Sequence, residues 1–365
     1  MKLLYVAAGH GQQCADDVLM WDKLDIDWFS TCYYLDTDQP GILPEVKRRL
    51  NADEFFRHEF AQCKSWTSEP PILVKKNKDY GGTSIKNFFA FKKRFLQMFD
   101  AILIGHNARN LEDVLKYVDP KKTLVAFKTF GMHSDSVEKK MISFKKRGVV
   151  LIRNSPKEHL LYSKFAGYDA IIRGSVVKDE HEISGWNGDT NQVVTLVNGI
   201  YCPYIHAAQK RRQYYLHIRN KLPDLPFICH GSENSRDPKN ISGGFISHQE
   251  KISLLQNSRV NLVLGTPHAN NTYSMVESWV MGMPTVVFGR KLWPGVAYEP
   301  DELITHGEDG FIVNSIEEAV DVIQQLIDNK ELAEKVGKLG REKAISIYGR
   351  DVLAQQWADF FKKYL

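Results

Sequence analysis

The sequence predicts an α/β protein built from two doubly wound parallel-sheet domains. Three observations carry that expectation. Short apolar runs alternate with polar helical stretches along the whole chain, the rhythm of a parallel sheet covered by helices. Around residues 178–191 the sequence becomes KDEHEISGWNGDTN, polar and without apolar periodicity, which reads as a linker. Beyond it the same alternation starts again. The 365 residues suffice for two such domains, each of roughly 150–200 residues.

In the first half the expected strands are residues 1–8, 27–35, 100–105, 124–127, 149–153 and 170–172. The first of them ends in Ala-Gly-His-Gly, suited to a tight strand-to-helix loop. Residues 88–98 read as an aromatic helix. In the second half strands are expected at 192–197, 226–229, 260–264, 285–288 and 310–313, separated by helices at 204–220, 249–256, 274–281 and 316–328. From residue 330 to the end the pattern is helical, and its stripe of Leu332, Val336, Leu339, Ala344, Ile347, Leu353, Trp357 and Phe361 reads as packing.

Composition narrows the function classes. With 43% hydrophobic and 25% charged residues the chain can bury a real core. No run approaches the ~18 apolar residues of a membrane span, and the start, MKLLYVAAGHGQQ, reads as a buried strand and not as a secretory signal. The five cysteines are scattered and form no CxxC pair. That argues against a disulfide framework or a thiolate zinc site and fits a reducing cytoplasm. The formal charge is only +4, yet basic residues cluster at 75–78, 92–94, 145–147 and 210–212. Such clusters are solvated faces or surfaces that meet a polyanion.

The richest chemistry lies in residues 274–287. A helix carrying Glu277 runs into Gly282-Met283-Pro284, and the strand Thr285, Val286, Val287 follows at once. Glycine supplies the left-handed cap and proline stops the helix restarting. Ligands of open parallel sheets bind at strand carboxyl ends and neighbouring helix amino termini. A helix starting near Asn270, Asn271 and Thr272 would offer N–H groups and a hydroxyl to a phosphate. Glu277, a turn further on, is placed to accept bonds from vicinal ribose hydroxyls.

The stretches SMVESWVMGMPTVVFG and GVAYEPDELITHGEDGFIVNSIEEAVDVIQQLIDN resemble the donor-binding domain of group 1 (family 4) glycosyltransferases. GGFISHQEKISLLQNSRVNLVLGT resembles that family's helix-then-strand run beside the nucleotide base, and LGREKAISIYGRDVLAQQWADFF its closing helices. The resemblance covers roughly residues 243–361. It implies the GT-B fold, in which two Rossmann-like domains face each other across a cleft and the C-terminal helix returns to the N-terminal domain. The expected domains are 1–185 with about 350–365, holding the acceptor, and 186–349, holding a nucleotide-sugar donor. The family pattern also asks for a second Glu eight positions before Glu277, where this chain has Ala269. His268 or Asn270 is the candidate substitute.

The resemblance further implies that an Arg/Lys pair and helix amino termini, in place of a metal, neutralise the leaving diphosphate. Asn198 and Gly199 stand at the tip of the 192–197 strand, and of Lys210, Arg211 and Arg212 we favour Arg212, with Lys210 second. Asp16-Asp17 reads as a helix start and Glu308-Asp309 as a turn, so neither pair is a metal site. No metal and no cofactor beyond the co-substrate is expected. Acceptor-side candidates follow the N-terminal strands: His10 and Gly11, His106 and Arg109, and Arg153. His133 follows the 124–127 strand, at a loop where the resemblance places a histidine near the donor sugar. Residues 80–84, YGGTS, read as a flexible loop over the acceptor.

The resulting expectation is a cytoplasmic, metal-independent hexosyl- or pentosyl-transferase. By analogy with the family it acts with retention, the donor diphosphate taking the acceptor proton. An inverting course would need a base, for which His133 and Asp135 are the candidates. The expected acceptor is a glycan, a lipid-linked precursor or a small metabolite. A hydroxymethylated base in DNA is the alternative, with residues 86–99 as a basic-aromatic face, and a non-catalytic nucleotide-sugar binder is the rival from another class. No integral membrane association is expected, and the sequence gives no oligomeric state.

Overall fold

The runs AILIG and LVAFK carry no polar alternation, and in the computed structural model every residue of both is buried, as strands covered on two faces must be. The structure describes residues 1–6, 11–30, 64–65, 89–129, 135–174, 185–200, 208–231, 243–265, 273–293 and 299–365. In chain order the described elements are β1 (Lys2–Val6), α1 (Gly11–Lys23), β2 (Asp27–Ser30), β3 (Lys64–Ser65), β4 (Phe89–Ala90), β5 (Ala101–Gly105), α2 (Ala108–Val114), β6 (Leu124–Lys128), α3 (Asp135–Lys146), β7 (Val150–Arg153), β8 (Ala170–Ile171), β9 (Thr190–Leu196), α4 (Ala208–Lys221), β10 (Phe227–His230), α5 (His248–Asn257), β11 (Ser258–Val263), α6 (Tyr273–Met281), β12 (Thr285–Phe288), β13 (Phe311–Val313), α7 (Ile316–Asp328), α8 (Lys330–Tyr348) and α9 (Arg350–Tyr364). Single helical turns lie at Lys93–Leu96 and Pro300–Leu303, and a 3-10 turn at Pro156–Leu161.

The chain divides into two units, Met1–Ser175 with Arg350–Leu365, and Val176–Gly349. Among the described residues the first holds a parallel sheet in the order β2-β1-β5-β6-β7-β8, and β3 pairs with β4 separately and antiparallel. The expected helix at 88–98 is reduced to the one turn Lys93–Leu96, preceded by the strand β4. The Phe91 N–H explains it, because it donates to the Asp113 carboxylate (2.9 Å) instead of a helical carbonyl. Phe91 and Phe95 are both buried and stacked, their centroids 6.4 Å apart.

The C-terminal helix α9 closes the first unit by packing on α1. Trp357 meets Trp21 edge-on at 5.3 Å and stacks on Phe361 at 5.5 Å, and Lys23 pairs with Asp351. Beneath it Lys128, at the tip of β6, donates to Asp17 of α1 (2.5 Å), and its ammonium lies 5.1 Å from the Trp357 ring. Tyr5 donates to the other Asp17 oxygen (3.2 Å). Burial pushes the Asp17 carboxyl above the usual carboxylate range, while Lys128 beside it pulls it back. Asp16 and Asp17 therefore sit inside α1 and not at its start.

The second unit holds a parallel sheet in the order β10-β9-β11-β12-β13. Helix α6 ends as its sequence dictates. Gly282 adopts φ 85°, the Met283 N–H reaches back to the Ser278 carbonyl (3.0 Å), and Pro284 leads into β12. Helix α8 lies so close that a Cβ on Gly337 would fall 1.9 Å from the Gly282 carbonyl oxygen. Glycine at 337 is thus a packing requirement of the helix-to-strand turn. Among the described residues no helix is long and apolar enough to cross a membrane.

Trp357 is 1% exposed within an aromatic cluster. Trp357→Ala is expected to destabilise the first unit by about 3–5 kcal/mol. A lower urea midpoint in near-UV circular dichroism would show it.

Candidate active site

Because every strand of the second sheet runs the same way, all carboxyl ends open on one edge. The tips found there are Asn198 and Gly199 after β9, Gly231 after β10, Gly265 after β11 and the 289–293 turn after β12. Gly199 and Gly265 adopt φ 63° and 73°, conformations that bring bare backbone to this edge. At Gly231 an added Cβ would lie 2.0 Å from the Val197 carbonyl oxygen. The strand tips β9 and β10 therefore touch through backbone alone.

Glu277 lies on α6, only 6% exposed. Its Oε1 accepts a bond from Lys251 Nζ at 2.6 Å. Lys251 comes from α5, whose start is fixed by a capping box: Ser247 accepts from the Glu250 N–H, and Glu250 accepts from the Ser247 N–H. The Lys251 N–H then bonds the Ser247 carbonyl. Asn261 and Thr285, on the strands below, hold Ser278 beside it (2.6 and 3.3 Å). Glu277 thus stands on a helix fixed from two sides.

The basic triplet on α4 is sorted by helical phase. Arg211, not Arg212, turns inward: it is 1% exposed, and its Nη1 meets the Gly265 carbonyl at 3.4 Å, at the end of β11. Lys210 donates to the Leu292 carbonyl (3.0 Å) after β12 and lies over the rings of Tyr214 and Trp293 at 5.3 and 5.0 Å. Arg212 is half-buried. Consecutive helical residues point 100° apart, so Lys210 and Arg211 reach the strand-tip edge of two different strands. His268, Ala269, Asn270, Asn271 and Thr272 lie outside the described residues.

In the first unit, Gly11 opens α1. His106 follows β5 with φ 58°, and its N–H bonds the Lys128 carbonyl (2.9 Å). Asn107 beside it caps α2, accepting from the N–H groups of Arg109 and Asn110. Arg109 is exposed. His10, His133 and residues 80–84 lie outside the described residues.

Two first-unit expectations are corrected. Arg153 was placed among acceptor contacts, yet it is 0% exposed. Its guanidinium grips both Glu138 oxygens (2.6 and 3.0 Å), approaches Glu158 (3.4 Å) and lies 4.5 Å from the Phe165 ring. Glu158 in turn takes the Thr129 hydroxyl (2.6 Å) and the Asn154 N–H (2.7 Å). The group is an internal brace for the tips of β6 and β7. Asp135, named as an alternative base, receives the Ser163 hydroxyl (2.5 Å) and N–H (3.0 Å), and these bonds hold its carboxyl below the usual range. A carboxylate so stabilised ties α3 to the 163 segment and is a poor proton acceptor.

Among the described residues no three His, Cys, Asp or Glu side chains gather as a metal cage. Replacing Arg153 with Met leaves two buried carboxylates without their cation, which is expected to destabilise the protein by about 3–5 kcal/mol. Arg109→Ala, at an exposed site, should stay within about 0.5 kcal/mol. Urea titration of both variants measures the contrast.

Residues 211–359 match the family model described as glycosyl transferase-like. A poly(ribitol-phosphate) alpha-N-acetylglucosaminyltransferase of Staphylococcus aureus (strain COL) is 29% identical over 90 residues, 24% of this chain and 17% of that protein. An exopolysaccharide phosphotransferase of Streptomyces coelicolor is 28% identical over 89 residues, 24% of this chain and 9% of that protein. The chain thus matches only a small share of those two relatives. Among solved structures, TarM superposes with a TM-score of 0.66 at 13% identity, covering 99% of this chain and 98% of that one. Anabaena HepE in complex with UDP-glucose gives 0.63 at 12% identity over all of both chains. Sucrose-phosphate synthase from Thermosynechococcus elongatus gives 0.60 at 11% identity, covering 100% and 99%. With its two parallel-sheet units the chain has the GT-B fold of these solved structures, and its residues 211–359 are similar to the glycosyl transferase-like family.

Proposed function

We propose that this chain transfers a sugar from a nucleotide-diphosphate sugar to a hydroxyl acceptor, the donor being held by the unit Val176–Gly349. The observation that carries the reading is Glu277, a nearly buried carboxylate on the helix that leads into the Gly282–Pro284 turn, paired with a cation and backed by fixed strands. A carboxylate has about four acceptor sites, and vicinal ribose hydroxyls are natural partners for one held in this position. Arg211 and Lys210, at the ends of β11 and β12, supply positive charge where a leaving diphosphate gains negative charge. Asn198 and Gly199 complete the donor edge in this reading, and His268, Asn270, Asn271 and Thr272 are its further candidate donor contacts.

The transfer breaks the bond from the anomeric carbon to the diphosphate oxygen and forms one to the acceptor oxygen, whose proton passes to the departing diphosphate. Retention, metal independence and a cytoplasmic setting belong to the proposal. The first unit, with His10, Gly11, His106, Arg109 and His133, takes the acceptor. Solved relatives of this fold contain UDP and UDP-glucose, so uridine donors head the test. A glycan or a related polyhydroxylated polymer is the favoured acceptor class, since a solved relative of this fold is in complex with fondaparinux and the matched Staphylococcus enzyme is named for poly(ribitol-phosphate).

A thermal-shift panel of UDP-, GDP-, ADP- and TDP-sugars is expected to single out one nucleotide. At 100-fold over its dissociation constant that donor stabilises the protein by about 2.7 kcal/mol. Release of nucleoside diphosphate, with EDTA present and donor well below its KM, should continue in the wild type and fall about ten- to hundredfold in Glu277→Ala. Binding without turnover would make the chain a binder only, and no shift with any donor would end the proposal.

A further inference from the structure

Lys251 breaks a local rule. It stands in the amino-terminal turn of α5, one residue past the Ser247/Glu250 capping box, where the helix dipole disfavours a cation. Its ammonium does not turn to solvent. It reaches across to α6 and meets Glu277 Oε1 at 2.6 Å, with the lysine side chain 20% and the glutamate side chain 8% exposed. An exposed lysine in that turn would contribute little. A lysine drawn into a nearly buried pair has a task defined by the carboxylate it holds.

The backbone around it supports the same reading. The capping box fixes the first turn of α5, and the Ser278 bonds to Asn261 and Thr285 fix the middle of α6. Both ends of the Lys251–Glu277 contact are therefore mounted on braced helices. The contact confines the Glu277 side chain to one arrangement before any ligand arrives, so less rotamer freedom is lost on binding.

Resting on the donor reading above, we propose that Lys251 is a positioning residue. It aims the Glu277 carboxylate at the ribose and so sets the preference for ribonucleotide over 2′-deoxyribonucleotide donors. Lys251 itself needs no contact with the ribose. Its effect passes through Glu277, so the two residues act as one unit in discriminating the 2′-hydroxyl.

The test is calorimetric binding of UDP, GDP and ADP and their 2′-deoxy counterparts to the wild-type chain, Lys251→Met, Glu277→Gln and the double variant, with melting temperatures as a folding control. The wild type is expected to favour one ribonucleoside diphosphate over its deoxy form by about tenfold or more. Lys251→Met and Glu277→Gln should each reduce that ratio to about one by weakening the ribo form more than the deoxy form, which keeps only the 3′-hydroxyl contact. The double variant, which leaves no unpaired buried charge, should match Glu277→Gln and show no further loss. Lys251→Arg, which keeps the charge, should retain most of the preference. If Lys251→Met does not fold, the comparison of Lys251→Arg and the double variant with Glu277→Gln carries the test. An unchanged ratio in Lys251→Met, a double variant whose losses add, or a Lys251→Arg ratio as low as that of Glu277→Gln overturns the proposal while leaving the donor reading intact. Absence of nucleotide binding by the wild type, or a ratio untouched by Glu277→Gln, removes the donor reading and this proposal with it.

Discussion

Parallel strands cannot be joined by hairpins, and each return to the start of the sheet needs a crossover, for most strand pairs of this chain a covering helix. Everything else in this molecule follows from that constraint. It buries β5, β6, β11 and β12 on both faces, so β5, β6 and β12 carry mostly apolar runs without alternation, while the Ser258, Arg259 and Asn261 side chains of β11 are held in internal hydrogen bonds. It also collects the strand carboxyl ends on one edge of each sheet, where glycine turns such as Gly199 and Gly265 bring backbone and helix starts together. The α6–β12 connection shows how tight the arrangement is. A left-handed glycine ends the helix, a proline starts the strand, and the Gly282 carbonyl leaves no room for a side chain at 337 on the helix above.

The buried charges divide by what surrounds them. In the first unit, Arg153, Glu138 and Glu158 are wholly removed from solvent and pair with one another. Such a group is a poor source of net stability against an apolar replacement of the same shape, but it is intolerant of losing one member. Its place at the tips of β6 and β7 gives it the character of a brace under a loop edge. Lys128 and Asp17 do the same between the sheet, α1 and the returning helix α9. The Lys251–Glu277 pair differs. It keeps partial exposure on the lysine side and joins two helices.

Most of the fold was legible because parallel-sheet strands announce themselves as apolar runs between turn residues. The α6 to β12 turn was legible residue by residue, since Gly and Pro have few other uses in that order. What was misread shares one cause: side-chain direction. Residue 153 at a strand end was correctly placed at an edge, but only the structure shows its guanidinium turned onto Glu138 and Glu158. The Lys210-Arg211-Arg212 triplet could not be phased without the start of α4 at Ala208, and one 100° step moved the inward residue from 212 to 211. The phenylalanines at 91 and 95 imitate a helix stripe, but a side-chain acceptor, Asp113, took the N–H that a helix would have needed. Lys251 was invisible for a further reason. A lysine on a helix reads as solvated unless its partner is known, and that partner lies 26 residues away.

Ala269 gains its meaning from the same pair. The family pattern spaces two acids eight residues apart, and this chain keeps only the second, Glu277. On the proposed reading Glu277 serves the ribose, a part of the donor that does not change during transfer. An interaction of that kind strengthens substrate and transition state alike. Losing the first acid while retaining the second therefore separates two tasks that the pattern joins. On that reading nucleotide recognition stays with Glu277, pre-aimed by Lys251, and position 269 offers the reacting sugar no acid. Pre-organising the unreactive end is the physically cheaper of the two, because the braced helices that carry it are already required by the packing of the sheet.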